Sequence, residues 1–233
     1  MSVQKASIYP EVSSPTGGEE SFRARALDEF SRQFDPTLRD GMSPAKRRVL
    51  EAFLNLCVRH GMESVSMRTL AKELDIKAPS IYTHFPGGRD EIITESLRWH
   101  FLQFSSGLVD AVLETGDASE FWDAMVRFHF IRQVELPESN LWDLIVATDR
   151  TAHVLPTELS ERVNYWVELY ESLYIAAAHD LGVENAGRRV KMVMTLLEGA
   201  TRWFDLDTSA DSVETGAEQA LLISRQILSS PVT

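Results

Sequence analysis

Residues 77–91 read KAPSIYTHFPGGRDE and separate two segments whose apolar residues recur with helical spacing. The first proline of the stretch suits the first turn of a short helix over about 78–84, and the Pro-Gly-Gly run ends that helix. Ile81 and Phe85 are four residues apart and share one helix face, which we expect to point into a core. Residues 77–84 include no acidic side chain. The stretch therefore predicts a helix that is buried on one face and polar on the other.

The segments before this stretch predict two further helices. Ser43 followed by Pro44 is a typical helix start, and apolar residues continue with helical spacing as far as Gly61, which is placed to end the helix. Ser66 can cap a second, short helix, and Asp75 lies where the chain must turn, since Asp tolerates left-handed backbone angles. A longer helix followed by two short helices with a tight turn between them is the helix-turn-helix arrangement.

The second short helix of such a motif enters a DNA groove about 12 Å wide. It therefore needs small residues at its leading end and polar groups that reach bases or phosphates, and this stretch supplies both. Two residues at the start of the preceding helix are placed to contact the DNA backbone. The candidate DNA contacts are Arg68, Thr69, Lys77, Ala78, Ser80, Tyr82, Thr83 and His84.

Residues 43–100 resemble the DNA-binding domain of the TetR family of bacterial transcriptional regulators. The resemblance rests on RRVLEAFLNLCVRHGMESVSMRTLAKELDI and, above all, on APSIYTHF followed by a charged helix start. It implies about nine helices, a homodimer, a palindromic operator in double-stranded DNA and control by a small-molecule effector. It also implies that Arg89 corresponds to a lysine that contacts phosphate at the start of the next helix.

The chain departs from the family pattern at three places. The family usually has Gly where this chain has Asp75, and often Ser or Thr where it has Lys77. The Pro-Gly-Gly-Arg stretch is one residue longer than the common form, which leaves the assignment of Arg89 open.

Charge is unevenly distributed along the 233 residues, whose total is −12. Residues 1–42 carry a net charge of −2, residues 43–100 of +2 and residues 101–233 of −12. A mildly basic segment joined to an acidic body suits a small anion-binding module. We therefore predict an N-terminal extension at 1–42, partly disordered, a helix-turn-helix domain at 43–100, and an effector-binding and dimerisation domain at 101–233.

The rest of the chain predicts helices as well. No segment shows the sustained alternation typical of strands, so the predicted fold class is all-α. The expected further helices cover residues 19–34, 89–114, 118–134, 139–151, 156–181, 184–204 and 212–229.

Several classes of protein are disfavoured. No apolar run approaches the roughly 20 residues of a membrane span, and the N-terminus lacks an apolar signal region, so we expect a cytoplasmic protein with no membrane partner. The single cysteine, Cys57, lies in an apolar run and is interpreted as a small buried residue. Nucleotide-binding, zinc-protease and Cys-x-x-Cys motifs do not occur, and the six histidines are scattered. We therefore predict no enzyme, no cofactor and no metal site, with a helical enzyme as a remote alternative.

The effector is expected within residues 118–181, where aromatic side chains are frequent and polar groups stand beside apolar stripes. The candidate effector contacts are Trp122, His129, Arg132, Trp142, Asp149, His153, Trp166 and Tyr170, and they favour an aromatic or largely apolar molecule. Pairing of Arg132 with Asp149 is the alternative interpretation for those two residues.

The resemblance further implies that the last two helices form a four-helix bundle with those of a second copy. The candidate interface residues are Leu196, Leu197, Ala200, Phe204, Ala220, Leu221, Ser224 and Leu228. Whether the chain represses or activates transcription, and whether a protein partner replaces the small molecule, are left open at this stage.

Overall fold

The computed structural model describes residues 21–33, 42–204 and 209–230, and all regular structure in these ranges is helical. The α-helices are α1 (Phe22–Arg32), α2 (Pro44–His60), α3 (Met67–Glu73), α4 (Ala78–His84), α5 (Arg89–Val112), α6 (Ala118–Glu135), α7 (Pro137–Ala152), α8 (Thr157–Asp180), α9 (Ala186–Glu198), α10 (Ala200–Trp203) and α11 (Ala210–Ser229). A 3₁₀ turn at Met62–Ser64 lies between α2 and α3. The all-α prediction is confirmed, with eleven helices in the described ranges where about nine were expected.

The first helix, α1, is docked on the body of the protein, where it packs against α8 and α5. The hydroxyl of Ser21 caps it by accepting a hydrogen bond from the N–H of Ala24 at 3.3 Å. Phe30 is fully buried, and its ring meets that of Phe101 on α5 edge-on with centroids 6.3 Å apart. The weak helical pattern over residues 19–34 thus corresponds to a packed helix, while residues 34–41 lie outside the described ranges.

Helices α2, α3 and α4 form the predicted helix-turn-helix unit. The hydroxyl of Ser43 accepts a hydrogen bond from the N–H of Lys46 at 3.3 Å, and Gly61 ends α2 with a φ of +78°. Cys57 is buried, as predicted. The apolar core of this unit includes Leu50, Phe53, Leu54, Cys57, Leu70, Leu74, Ile81 and Phe85.

The long helix α5 joins this unit to the rest of the chain. Its 24 residues span about 36 Å at 1.5 Å per residue. Asp90 and Glu91 lie in its first turn, where negative charge complements the helix dipole. The helix runs through the predicted boundary at residue 100, so both predicted domains share it.

The body consists of α6 to α11, with α6 packed against α8, α9 and α11. Arg225 and Asp123 form an ion pair at 2.6 Å on the outside of the contact between α6 and α11. The segment 184–204, predicted as a single helix, is divided at Gly199, where α9 ends and the short α10 begins. No helix in the described ranges combines the length and the hydropathy needed to cross a membrane.

Candidate functional site

Helix α4 is buried on one face and exposes polar side chains on the other. Its end is marked by the N–H of Phe85, which donates to the carbonyl of Ile81 at 2.9 Å. Both of these side chains are fully buried, as predicted from their spacing. The exposed candidate contacts on this helix are Lys77, Ser80, Tyr82 and Thr83, with Tyr82 46 % exposed. The buried face anchors the helix and leaves these side chains exposed to a ligand, although the hydroxyl of Thr83 also donates to the carbonyl of Pro79 at 3.4 Å.

The turn between α3 and α4 passes through left-handed backbone at Asp75, whose φ is +54°. The N–H of Ile76 donates to the carbonyl of Ala71 at 3.0 Å, and the N–H of Asp75 to that of Lys72 at 3.2 Å. These bonds close the end of α3 as a left-handed C-cap does. A residue with a side chain incurs about 1 kcal/mol in this conformation, and Asp is among the residues that tolerate it best. Asp75 can therefore serve where the family usually carries Gly.

Tyr82 lies against the backbone of Gly88. A Cβ atom added to Gly88 would stand 3.2 Å from Cε1 of the tyrosine ring, and the φ of Gly88 is +70°. The preceding Gly87 donates its N–H to the carboxylate of Glu91 at 2.7 Å, which fixes the segment to the start of α5. The Pro-Gly-Gly stretch therefore both ends α4 and leaves room for the tyrosine ring.

The other candidate contacts differ in how free they are. Arg68 is exposed on α3, whereas Ala78 and His84 are half-buried. The hydroxyl of Thr69 lies 2.7 Å from that of Ser66, so it takes part in capping α3. Arg68 thus joins the exposed donors of α4 as an available group, while Thr69 already has a partner.

Arg89 makes structural contacts in this conformation. Its Nε donates to the carbonyl of Val65 at 3.0 Å, and its Nη2 donates to that of Met62 at 2.8 Å. The same Nη2 lies 3.9 Å from the carboxylate of Glu63. The guanidinium therefore holds the 3₁₀ turn to the start of α5, and a phosphate contact by Arg89 stays a prediction.

A cavity of about 120 Å³ lies within the body, among α5, α6, α7, α8 and α9. Its lining is His100, Phe101, Phe104, His129, Arg132, Gln133, Ser139, Trp142, Asp143, Val146, Ala147, Arg150, Val167, Tyr170, Met194 and Glu198. Aromatic rings form part of the wall: Phe101 and Trp142 stack with centroids 5.7 Å apart, and Phe104 meets Tyr170 edge-on at 4.8 Å. The cavity combines an aromatic wall with several ionisable groups.

Four of the eight predicted effector contacts line this cavity, namely His129, Arg132, Trp142 and Tyr170. The other four lie elsewhere. Trp122 is fully buried and donates its indole N–H to the hydroxyl of Ser224 at 3.1 Å. Trp166 does not line the cavity, and its ring stacks on that of Phe101 with centroids 4.8 Å apart. Both tryptophans are thus core residues, because their side chains contact other helices and do not line the cavity.

Asp149 and His153 are also outside the cavity. The carboxylate of Asp149 accepts hydrogen bonds from the N–H of Leu155 at 2.8 Å and from the hydroxyl of Ser160, so it ties the end of α7 to the start of α8. Among the described residues, no hydrogen bond or ion pair joins Asp149 to Arg132, so the alternative pairing of these two residues is not present. His153 is exposed at the end of α7 with a left-handed φ of +50°.

Six polar residues of the lining were not predicted, namely His100, Gln133, Ser139, Asp143, Arg150 and Glu198. Gln133 links several of the surrounding helices through its amide nitrogen, which donates to Asp143 at 2.6 Å and to the carbonyl of Glu198 at 3.2 Å. The sequence could have indicated two of these residues, because Gln133 and Ser139 interrupt apolar stripes on either side of the junction between α6 and α7. Buried polar residues at such positions need partners, or a ligand.

The two histidines of the cavity are neutral in the folded state. Burial lowers the pKa of His129 to about 3, and burial followed by the nearby Arg132 lowers that of His100 to about 4. His129 Nδ1 lies 3.1 Å from the hydroxyl of Tyr170, and the ring of His100 stacks on Trp142 at 5.5 Å. Burial also raises the pKa of Tyr170 well above its ordinary value. These groups can exchange hydrogen bonds but contribute no charge near neutral pH.

The charged lining comes from two arginines and two acids. Arg132 packs its guanidinium over the rings of Phe104 and Phe128, at 5.6 and 5.5 Å from the centroids. Burial lowers the pKa of Arg132, and burial followed by the Glu198 carboxylate raises that of Asp143 to about 7. Arg150 and Glu198 stand at the exposed rim.

Helix α7 has one face on the cavity and another towards the helix-turn-helix unit. Ser139, Trp142 and Asp143 line the cavity. Leu141 and Ile145 lie on the opposite side, where they line a groove of about 550 Å³ together with residues of α2 and the 3₁₀ turn. One helix therefore borders both the cavity and the helix-turn-helix unit.

The candidate dimer residues on α9 to α11 differ in burial. Within the described part of the chain, Leu197, Ala200, Ala220, Ser224 and Leu228 are buried inside the protomer itself. Leu196, Phe204 and Leu221 are half-buried. The largest exposed apolar side chains on α9 and α11 are Met192 and Leu222, at 54 % and 59 %. A partner would therefore contact these two residues before most of the predicted set.

The described ranges contain no group of three His, Cys, Asp or Glu residues placed to hold a metal ion.

Comparison with known proteins identifies the N-terminal unit. Residues 49–95 match the family model of bacterial regulatory proteins of the tetR family. The match lies inside the segment 43–100 and confirms the resemblance noted from the sequence. A search of the curated proteins gives no match.

Solved structures share the fold over most of the chain. One is a proposed transcriptional regulator from Saccharomonospora viridis in complex with choline, with a TM-score of 0.63, 21% identity, and coverage of 77% of this chain and 94% of that chain. Another is the ketosteroid transcriptional regulator KstR2 of Mycobacterium tuberculosis, with a TM-score of 0.65, 12% identity, and coverage of 81% and 97%. A third is AibR in complex with isovaleryl coenzyme A and operator DNA, with a TM-score of 0.63, 15% identity, and coverage of 76% and 96%. At these identities the likeness concerns the fold.

Proposed function

Its N-terminal unit makes this chain a member of the TetR family of bacterial regulators, and we propose that it represses transcription from a palindromic operator until a small effector releases it. The observation that carries this proposal is the exposed face of α4. It offers Lys77, Tyr82 and neighbouring hydroxyls as donors, and no acidic residue occurs from 77 to 89. Duplex DNA is polyanionic, so a donor-rich surface free of carboxylates suits the major groove.

The proposed effector site is the cavity in the body. Its aromatic wall supports the expectation of an effector with an aromatic or apolar body, held against Phe101, Phe104 and Trp142. Two proteins of similar fold hold small molecules, one choline and the other isovaleryl coenzyme A together with operator DNA. These ligands differ in charge and size, so the chemistry of this cavity has to be argued from its own residues.

We propose that α7 couples the two sites. Its cavity face includes Trp142, and its opposite face, through Leu141 and Ile145, borders the groove beside α2. A ligand that favours one position of α7 would change how the helix-turn-helix unit is held. Operator affinity changes only by the difference in the effector's binding free energy between the two conformers, and the effect is reciprocal.

A homodimer is part of the proposal. A two-fold axis would present two copies of α4 about 34–36 Å apart, one turn of duplex DNA. Met192 and Leu222, exposed on α9 and α11, are the residues we assign to the partner contact together with Leu196 and Leu221. Analytical ultracentrifugation at micromolar protein should give a dimer, and a monomer there would refute this part of the proposal.

DNA binding is tested with the DNA upstream of the chain's own gene, by fluorescence anisotropy at two salt concentrations. We expect specific binding that weakens steeply with salt. Lys77→Ala should weaken binding and reduce the salt slope by about 1. Lys191→Ala is the matched control, because it removes the same charge from an exposed position on α9. Absence of specific binding at low salt would refute the proposal.

The sign of regulation needs a separate measurement. A reporter fused to the upstream DNA is compared in strains with and without the gene. Higher expression in the deletion strain is expected for a repressor, whereas lower expression would make the protein an activator.

A further inference from the structure

Two polar atoms in the cavity wall have no hydrogen-bond partner in the described part of the chain, Arg132 Nε and Ser139 Oγ. Both atoms are buried, and Ser139 as a whole is only 8 % exposed. Buried donors normally have a partner, because an unmade hydrogen bond forfeits the solvation lost on folding. These two residues come from the end of α6 and the start of α7, and both line the same cavity. The molecule thus maintains two unsatisfied groups in the lining of one cavity.

The positive charge of Arg132 favours a negatively charged acceptor as the missing partner. The Nε of Arg132 has no hydrogen-bond partner among the described residues, and the guanidinium packs over the rings of Phe104 and Phe128. The carboxylate of Glu138 acts on the guanidinium only through its charge and lies outside the lining of the cavity. The acid of the lining on α7, Asp143, accepts instead from the amide of Gln133 at 2.6 Å. A cationic ligand would place like charge beside Arg132, and a neutral one would leave that charge unpaired.

We infer that the effector carries a carboxylate, which accepts hydrogen bonds from the Arg132 guanidinium and the Ser139 hydroxyl, on a small hydrophobic body held by Phe101, Phe104 and Trp142. This inference rests on the proposed function and specifies the chemistry of its effector. A carboxylate matches the planar fork of a guanidinium.

The volume of the cavity limits the hydrophobic body. At about 120 Å³ it is close to the roughly 150 Å³ of an apolar protein cavity that accepts benzene. A single aromatic ring or a short branched chain therefore fills it. Benzoate, benzyl alcohol and benzylamine form a probe series in which the ring is constant and the charge of the head group changes.

The test is calorimetric titration of the full chain with these three probes and with isobutyrate as a non-aromatic carboxylate. Benzoate should bind at least tenfold more tightly than benzyl alcohol, with benzylamine the weakest. Arg132→Met should weaken benzoate binding about tenfold to hundredfold and abolish its advantage over the alcohol. Ser139→Ala should weaken it several-fold, and Arg132→Lys should retain part of the preference. Arg202→Met, an exposed arginine on α10, is the matched control and should bind as the wild type does.

A second readout does not depend on any ligand. Burial lowers the pKa of Arg132, which means that its partly buried charge disfavours the folded state, and replacing it by an apolar side chain of similar length relieves that penalty. We therefore expect the free Arg132→Met variant to melt at the same temperature as the wild type or higher.

Three results would overturn the inference. They are tighter binding of benzylamine than of benzoate, an unchanged preference for benzoate in Arg132→Met, and no binding of either carboxylate to the wild type at millimolar concentration. Operator binding without ligand is measured in parallel. If it persists while the carboxylates fail, only the inference falls, and if it is absent, the proposed function falls instead.

Discussion

One carboxylate makes the main polar contacts between the start of α1 and the body, and its removal tests how much they contribute to holding this helix. Asp180 is the last residue of α8, and its side chain is 5% exposed. It accepts hydrogen bonds from the N–H of Phe22 at 3.0 Å, the N–H of Arg23 at 3.1 Å and the guanidinium of Arg23 at 3.0 Å. These contacts satisfy amides at the start of α1 that have no partner within the helix.

The magnitude follows from these three bonds. Two bonds from backbone amides contribute about 1 kcal/mol each, and the bond from the charged guanidinium about 2 kcal/mol. Against this stands the unfavourable position of an acid at the C-terminus of α8, about 0.5 kcal/mol, and the cost of desolvating the carboxylate. We expect Asp180→Ala to destabilise the docked state of α1 by about 2–3 kcal/mol. An isolated helix of 11 residues is not stable in water, so undocking and unfolding of α1 go together.

Hydrogen–deuterium exchange of peptides covering residues 22–32 measures the free energy of undocking α1. A cost of 2–3 kcal/mol corresponds to exchange that is about 30- to 150-fold faster in Asp180→Ala, if exchange occurs by undocking. Arg23→Ala should have a smaller effect, because the backbone bonds to Asp180 remain. Glu184→Ala, which removes an exposed acid four residues further on, is the matched control and should leave exchange unchanged. Equal exchange of residues 22–32 in Asp180→Ala and the wild type would refute the reasoning.

Three further perturbations have defined outcomes. Gly88→Ala and Gly61→Ala both introduce a side chain at positive φ and should each destabilise the fold by about 1–3 kcal/mol. Only Gly88→Ala displaces the ring of Tyr82. Only this variant should therefore weaken operator binding in anisotropy titrations by more than the loss of folded protein explains. Asp143 keeps its proton up to about pH 7 in the folded state, whereas the unfolded chain releases it near pH 4, so the wild type loses stability as pH rises between these values. The free energy of unfolding of Asp143→Asn should therefore exceed that of the wild type by about 2 kcal/mol at pH 8, after allowance for partial exposure, and equal it at pH 4. A higher melting temperature of the variant at both pH values would contradict the assignment. Burial raises the pKa of the Cys57 thiol to about 11, so a thiol reagent should modify the native protein far more slowly than the unfolded chain, and equal rates would show that the thiol is accessible.

The helix-turn-helix unit was predictable because its signals are local. The cap at Ser43, the left-handed turn at Asp75 and the pair Ile81 and Phe85 each act within a few residues of themselves. The structure has all of these features at the predicted positions. The position of a residue in the sequence does not reveal its contacts, as Arg89 shows. Its charge and position suggested a phosphate contact, but its guanidinium donates to two backbone carbonyls of the chain itself.

The cavity was less predictable because five helices build it. Helical periodicity tells which face of a helix is buried, not which helix it meets. Trp122 and Trp166 therefore looked like ligand contacts but pack within the core, whereas His100 and Gln133 were passed over. The same limit applies to the expected dimer face. Small residues such as Ala220 indicate close helix approach, and here the close neighbour is the chain's own α6.

The position of the unsatisfied groups bears on how an effector would act. Arg132 lies near the end of α6 and Ser139 near the start of α7, so an anion bound to both would bridge the junction of these helices. The opposite face of α7, at Leu141 and Ile145, borders the groove beside the helix-turn-helix unit. Arg132 also lines a second groove beside α2 and α5, so the anchor itself lies next to the DNA-binding part of the chain. An effector that paired the partly buried charge of Arg132 would stabilise one arrangement of α6 and α7 over others, and the differential binding energy needed to shift operator affinity would come largely from this pairing.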